Sequence, residues 1–127
     1  MKTLLFLFLL FTSENLFFQD VSEDLANAIR TSNTKEISKY FNDKIDLKVV
    51  DKEDVYSKAQ AEIIIKDFFD KHAVKSFNLA HKSATSNGPS YAIGTLETAN
   101  GNFRTYFLFK TIGEKTTVTQ FRIELEN

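Results

Sequence analysis

Apolar positions in the first half of the domain recur every three to four residues and predict three helices. The first helical segment carries Val21, Leu25, Ala28 and Ile29 on one face, and the second, short segment groups Ile37, Tyr40 and Phe41. The third has the broadest apolar stripe, formed by Ala61, Ile64, Ile65, Phe68 and Phe69. Each stripe is typical of a helix that buries one face, so we expect all three to share one core.

Each predicted helix begins with a capping residue followed three positions later by Glu or Gln. The pairs are Asp20 with Glu23, Asn33 with Glu36, and Ser57 with Gln60. Such pairs satisfy backbone N–H groups that have no partner inside the helix. Between the second and third helices, Ile45, Leu47 and Val49 alternate with charged residues, and Val55 and Tyr56 follow a charged turn at residues 51–54. That alternation predicts a short hairpin.

After His72 the apolar period changes to two, which predicts four strands of an antiparallel meander. The strand-like runs are Phe77 to Thr85, Tyr91 to Thr98, Phe103 to Ile112 and Thr117 to Leu125. Turn residues separate them at 87–89, 100–101 and 113–114. The predicted fold class is therefore α+β, with three N-terminal helices and a short hairpin packed on a strongly bent antiparallel sheet.

The Asn100-Gly101 pair predicts a two-residue type I′ turn, and that turn fixes a register. It places Glu97 opposite Arg104, Gly94 opposite Phe107 and Ile93 opposite Leu108. The core face then holds Ala92, Gly94, Leu96, Phe103, Phe107 and Phe109. A four-residue loop at 86–89 adds Phe77, Leu79 and His81 to that face, with His81 beside Gly94 and Phe107.

The last hairpin has two readings. A two-residue Gly113-Glu114 turn places Gln120, Arg122 and Glu124 on the core face, whereas a three-residue turn or a bulge buries Phe121, Ile123 and Leu125 instead. Burying three charged or amide side chains costs several kcal/mol unless each is paired. We therefore favour the second reading.

The chain opens with features of an export signal. Lys2 precedes an apolar run from Thr3 to Phe11, which is too short to span a bilayer because a spanning helix needs about 20 apolar residues. We expect residues 1–19 to form a signal peptide and residues 20–127 a single domain that is periplasmic or extracellular, without a transmembrane span. The thirteen Phe include five in this leader, so the remaining eight define the expected core.

Composition excludes several function classes. Sixteen Lys and Arg are spread among seventeen Asp and Glu, without the basic block that would indicate a nucleic-acid partner. The absence of Cys excludes disulfides, thiolate catalysis and a lipid anchor on a Cys. With 43% hydrophobic residues, the 127-residue chain is typical of one globular domain.

The order of helix, helix, hairpin, helix and four long strands resembles the nuclear transport factor 2-like superfamily (cystatin-like, cone), over nearly all of residues 20–126. Within it, the leader, the segments 20–29 and 58–69 and the strand 103–109 are similar to the bacterial domain-of-unknown-function family 4783. The resemblance implies a cone-shaped domain and an exported protein with no assigned activity, and it assigns no functional residue.

The chemistry of the expected cone interior leaves three hypotheses open. A non-enzymatic domain would bind a small apolar ligand against Phe77, His81, Phe103, Phe107 and Phe109, or would engage an envelope protein. An isomerase or dehydratase would use His81 as base, with Tyr40 or Tyr56 as donor, but it lacks a partner acid. The third hypothesis is a structural homodimer that pairs through an outer sheet patch of Ile93, Tyr106, Leu108 and Ile112.

No cofactor or metal is expected. His72 and His81 lie nine residues apart on different elements, with no carboxylate at ligand spacing around either. The acidic residues between 43 and 54 alternate with lysines and lack the spacing of a calcium loop. His72 ends the third helix, where an imidazolium favours the negative end of the helix dipole, so a capping role is expected.

Overall fold

The computed structural model describes residues 21–83 and 89–126. The helices are α1 (Val21–Arg30), α2 (Thr34–Lys39) and α3 (Lys58–Lys71), and the strands are β1 (Phe41–Val49), β2 (Lys52–Ser57), β3 (Val74–Ser83), β4 (Ser90–Thr98), β5 (Gly101–Ile112) and β6 (Lys115–Leu125). The predicted signal peptide, the Asp20 cap and most of the 86–89 loop lie outside the described residues. Within the described ranges, no helix combines the length and apolar character that crossing a bilayer would require.

Two of the predicted helix caps are confirmed. Ser57 and Gln60 form a complete capping box: the Ser57 hydroxyl accepts from the Gln60 backbone N–H at 3.2 Å, and Gln60 Oε1 accepts from the Ser57 N–H at 3.3 Å. Asn33 Oδ1 accepts from the Glu36 N–H at 3.1 Å. The predicted second helix extended two residues too far, because α2 ends at Lys39 and Phe41 already begins β1.

The six strands form one sheet in the order β2-β1-β6-β5-β4-β3. This sheet is mixed, which corrects the expectation of an antiparallel one, because β6 returns to lie parallel to β1. The pairing places Leu47 beside Phe121 and Val49 beside Ile123, and the Val50 N–H extends it by donating to the Ile123 carbonyl at 2.8 Å. The predicted hairpin thereby becomes one end of the same sheet as the meander.

The predicted β4–β5 register was wrong by two residues. The turn residues are Ala99 and Asn100, so Thr98 pairs with Gly101 and Glu97 faces Asn102 instead of Arg104. The Thr98 hydroxyl donates to the Gly101 carbonyl at 2.8 Å, and Asn100 Nδ2 donates to the Lys71 carbonyl at the end of α3 at 2.6 Å. A shift of two keeps every side chain on its predicted face, because strands alternate with period two.

The β5–β6 hairpin combines both readings of the sequence. Its turn does consist of Gly113 and Glu114, since Ile112 pairs with Lys115, but the register shifts between Leu108 and Phe109, where Thr119 is an extra residue. This bulge turns Phe121 and Ile123 into the core, as favoured from the sequence. Leu125 was expected inside and is instead 56% exposed, at the end of the strand.

The core is aromatic and lies between the sheet and the helices. All eight Phe outside residues 1–19 are buried, at 6% exposure or less: Phe41, Phe68, Phe69, Phe77, Phe103, Phe107, Phe109 and Phe121. Buried aliphatic side chains of α1, α2 and α3 join the same cluster. The prediction that these eight residues define the core is confirmed.

Candidate functional site

The four Phe of the expected ligand site pack against neighbouring rings inside the core. Phe107 is central: its ring centroid lies 6.5 Å from that of Phe77, 6.2 Å from Phe109 and 4.7 Å from Phe121. The fourth, Phe103, meets Phe68 of α3 edge-on at 5.1 Å. Because Phe77, Phe103, Phe107 and Phe109 are each at most 4% exposed, other protein groups already occupy the space around their rings.

His81 does not line the interior, which corrects the sequence prediction. A bulge in β3 between Leu79 and His81 leaves Leu79 opposite Gly94 but places His81 opposite Ile93, on the other face of the sheet. The imidazole is exposed and lies 5.7 Å from the Tyr91 ring, between ring centroids. Within the described residues it makes no hydrogen bond or ion pair, so the base of the isomerase hypothesis has no acid beside it.

The remaining polar candidates, His72, Tyr56 and Tyr40, contact other groups of the domain. His72 stacks on Phe68 with a centroid distance of 4.2 Å, and its Nδ1 lies 2.9 Å from the Phe68 carbonyl, in keeping with a cap at the end of α3. Tyr56 is partly buried against the core. The Tyr40 hydroxyl donates to Asp24 Oδ2 at 3.5 Å, and burial, followed by the charges of Asp24 and Glu36, raises the pKa of this phenol.

The α1–α2 surface contains one open cleft of about 480 Å³. Its lining is mostly polar and consists of Asp24, Asn27, Ala28, Thr31, Glu36, Lys39 and Tyr40. Lys39 and Glu36 form a surface ion pair across 3.8 Å, and Tyr40 bonds to Asp24. These groups satisfy one another, and the described residues contain no set of three His, Asp or Glu that could hold a metal ion.

The outer face of the sheet, which points away from the helices, brings together residues that are far apart in sequence. Strand pairing aligns one row across five strands: His81, Ile93, Tyr106, Arg122 and Lys48. A neighbouring row runs through Tyr91, Leu108, Gln120, Asp46 and Val55. The face is therefore aromatic and aliphatic toward β3 and charged toward β1, and a shallow cleft of about 440 Å³ joins the halves beside Tyr106 and Arg122.

Arg122 lies at the centre of the charged half of the outer face, the part toward β1 and β2. Its Nη1 lies 3.2 Å from Glu53 Oε1 on β2, and its Nε donates to Glu124 Oε1 at 3.1 Å. Lys48 Nζ reaches the same Glu124 oxygen at 3.4 Å. The hydrogen bond from Arg122 lowers the pKa of Glu124 more than burial raises it, and Lys48 adds to the lowering. Burial alone would lower the pKa of Arg122, but its two carboxylate partners raise it.

The family model for a domain of unknown function (DUF4783) matches residues 22–124. The chain belongs to the DUF4783 family. A crystal structure of a DUF4783 family protein from Bacteroides uniformis superposes with a TM-score of 0.80 and 35% identity, covering 85% of this chain and 99% of that one. No curated protein matches the sequence at a significant level.

Two less similar structures define the fold. A protein described as Rd1NTF2_04 with long sheet has a TM-score of 0.64 at 14% identity, covering 80% of this chain and 94% of that one. A domain of unknown function with a cystatin-like fold from Nostoc punctiforme has a TM-score of 0.66 at 7% identity, covering 84% of this chain and 73% of that one. This DUF4783 chain is thus an α+β domain of the nuclear transport factor 2-like, cystatin-like fold, as the sequence indicated.

Sequence reasoning missed the charged half of the outer face of this DUF4783 domain. Arg122 and Glu124 were recognised only as residues to keep out of the core, and Lys48 and Glu53 only as members of the charged hairpin segment 43–54. The parallel pairing of β1 with β6 joins them, and no local signal in the sequence predicts that pairing. The alternation of Gln120, Arg122 and Glu124 with apolar residues did indicate one polar face on β6.

Proposed function

We propose that this DUF4783 domain is an exported, non-catalytic association module whose outer sheet face binds a second copy of the chain. The observation that carries the proposal is the composition of that face. It holds partly buried Tyr91, Ile93, Tyr106 and Leu108 next to an organised set of ion pairs. Aromatic residues with Arg are the residues that protein interfaces favour at their centres.

The charge of the outer face favours a second copy over an unrelated partner. Around Arg122, the cations Lys48, Arg104 and Arg122 are matched in number by the anions Asp46, Glu53 and Glu124, so this group of charges has no net charge. In a two-fold dimer the same patch meets itself, and a patch of one sign would repel its copy. A face with both signs interspersed avoids that repulsion, while its aromatic half supplies apolar area to bury.

The packed interior supports an association role over small-ligand binding. We infer that the sheet bends around α3 as a cone whose mouth the aromatic core fills, because Phe77, Phe103 and Phe107 are buried against other rings. A ligand site needs a cavity of about 300 Å³ or more, and these residues would have to move apart to provide it. The outward position of His81 likewise removes the support for an isomerase.

The oligomeric state tests this proposal. We expect the full chain to be dimeric by light scattering at micromolar concentration, and Ile93→Arg to make it monomeric with unchanged helix and strand content. Ile63→Arg is the matched control, because Ile63 is 68% exposed on α3, away from the outer face, and its variant should remain dimeric. A monomeric parent chain, or an Ile93→Arg variant that stays dimeric, would contradict the proposal.

A further inference from the structure

The two edges of the sheet are protected in different ways. Unpaired backbone groups along an edge strand can pair with an edge of another molecule, and proteins block this with charges, short strands, bulges or a covering element. The β2 edge is six residues long and begins with Lys52, Glu53 and Asp54. This edge is short and charged, so it needs no further cover.

The β3 edge is longer and has an uncharged centre. It spans ten residues, with Lys75 near one end and Lys82 near the other, and a bulge interrupts it between Leu79 and His81. The residues between the two lysines are Ser76, Phe77, Asn78, Leu79, Ala80 and His81. A segment of this kind lacks the charges that usually prevent strand addition.

Arg30, the last residue of α1, occupies the middle of this uncharged segment. Its Nε donates to the Phe77 carbonyl at 2.9 Å, and its Nη1 donates to Asn27 Oδ1 at 2.8 Å, which holds the guanidinium in place. β3 is the last strand of the sheet, and the Phe77 carbonyl accepts this bond from a group outside the sheet, so it lies at the open edge. The Arg30 side chain therefore uses the acceptor that an added strand would need.

The docking of α1 does not depend on this contact. The helix buries Leu25, Ala26, Ala28 and Ile29 in the core, and Glu23 forms a second link to β3 through Lys82 at 3.4 Å. Removing the Arg30 side chain should thus leave α1 packed while freeing the edge at Phe77. This separation allows the role of Arg30 to be tested without unfolding the domain.

We propose that Arg30 prevents strand addition at the β3 edge, and that without its side chain β3 pairs antiparallel with β3 of a second copy. The guanidinium blocks this pairing in two ways. It satisfies the Phe77 carbonyl, and it places a positive charge where two such edges would meet, so that like charges repel. This edge contact is distinct from association through the outer face, because it uses backbone groups of one strand.

Disulfide trapping tests the proposal, because the chain has no cysteine of its own. We place a cysteine at Asn78, at the centre of β3, in the full chain with Arg30 or with Arg30→Ala. Directly opposed residues of an antiparallel pair lie within disulfide reach. We expect Arg30→Ala to increase the rate of cross-linking at least about tenfold. The matched control is Lys35→Ala, which removes an exposed cation of α2 whose side chain has no hydrogen-bond or ion-pair partner in the described part of the chain.

A cysteine placed at Thr95 distinguishes strand pairing at the β3 edge from contact through the outer face of the sheet. Thr95 pairs with Asn78 on the next strand inward and shares its face, so a face-to-face contact would cross-link both positions. The proposal holds if Arg30→Ala accelerates cross-linking at Asn78 alone and circular dichroism shows an unchanged fold. It is overturned if the rate at Asn78 does not change, if both cysteines respond equally, or if Lys35→Ala has the same effect.

Discussion

The Phe77 ring lies directly over Gly94, whose lack of a side chain makes room for it. A Cβ at position 94 would lie 2.7 Å from Phe77 Cε1 and 3.0 Å from the Asn78 carbonyl oxygen, both closer than ordinary contacts. The sequence predicted an aromatic residue over Gly94 but named Phe107. The cross-strand partner of Gly94 on β5 is instead Thr105, which is fully buried and donates its hydroxyl to the Gly94 carbonyl at 3.3 Å.

Gly94→Ala should therefore destabilise the domain. Overpacking a filled core typically costs about 1–3 kcal/mol, and here the backbone oxygen of Asn78 prevents an easy shift. Chemical denaturation measures the change in the free energy of unfolding. Phe77→Leu removes the ring atoms in the way, so the double variant should lose less stability than the sum of the two single variants. Additive losses would contradict the proposed contact.

Phe107→Ala should be among the most destabilising single substitutions. Phe107 is fully buried and touches three other rings, and Phe→Ala in a core typically costs about 3–5 kcal/mol. Tyr106→Ala, one residue away on the outer face, should cost less than half as much in the monomeric background of Ile93→Arg. Thermal and urea unfolding give both values. Equal losses at the two positions would mean that the face assignment of β5 is wrong.

Ser57→Ala should weaken the start of α3. The hydroxyl accepts from the Gln60 N–H, and losing an N-cap of this type costs about 1 kcal/mol. Ser57→Asp keeps an acceptor at this position and should retain most of the stability. The free energy of unfolding decides between the two variants, and an Ala variant as stable as the Asp variant would show that the cap contributes little.

The Glu124 network should make stability fall in acid. The folded-state pKa of Glu124 is lowered below its usual 4.5, mainly by the hydrogen bond from Arg122, so its contribution is complete above pH 4.5 and is lost as pH falls through the folded-state pKa. Because both side chains are partly exposed, the effect should stay below about 1 kcal/mol. Glu124→Gln should reduce the loss of unfolding free energy between pH 6 and pH 3. An identical pH profile for the variant would exclude this network as a source of acid sensitivity.

The face of the sheet on which a side chain lies was predictable from the sequence, whereas the residue pairing between neighbouring strands was not. The positions of Phe103, Phe107 and Phe109 follow from period-two alternation, and a register error of two residues left them all on the core side. A bulge adds one residue to a strand and so moves the side chains that follow it to the opposite face of the sheet. The place where a bulge forms depends on what each strand packs against. That dependence explains why Phe121 was placed inside only by weighing burial costs, and why His81 was placed on the wrong face.

The sequence alone determined the helices, the strands, the eight buried Phe and the α+β class, because hydrophobic periodicity and capping residues act over a few neighbouring positions. The tertiary structure decided the pairing of β1 with β6, the outward position of His81 and the contact of Arg30 with Phe77. Each of these features depends on contacts between segments far apart along the chain. The free energy of such contacts depends on the packing of the whole core, and no local sequence pattern predicts them.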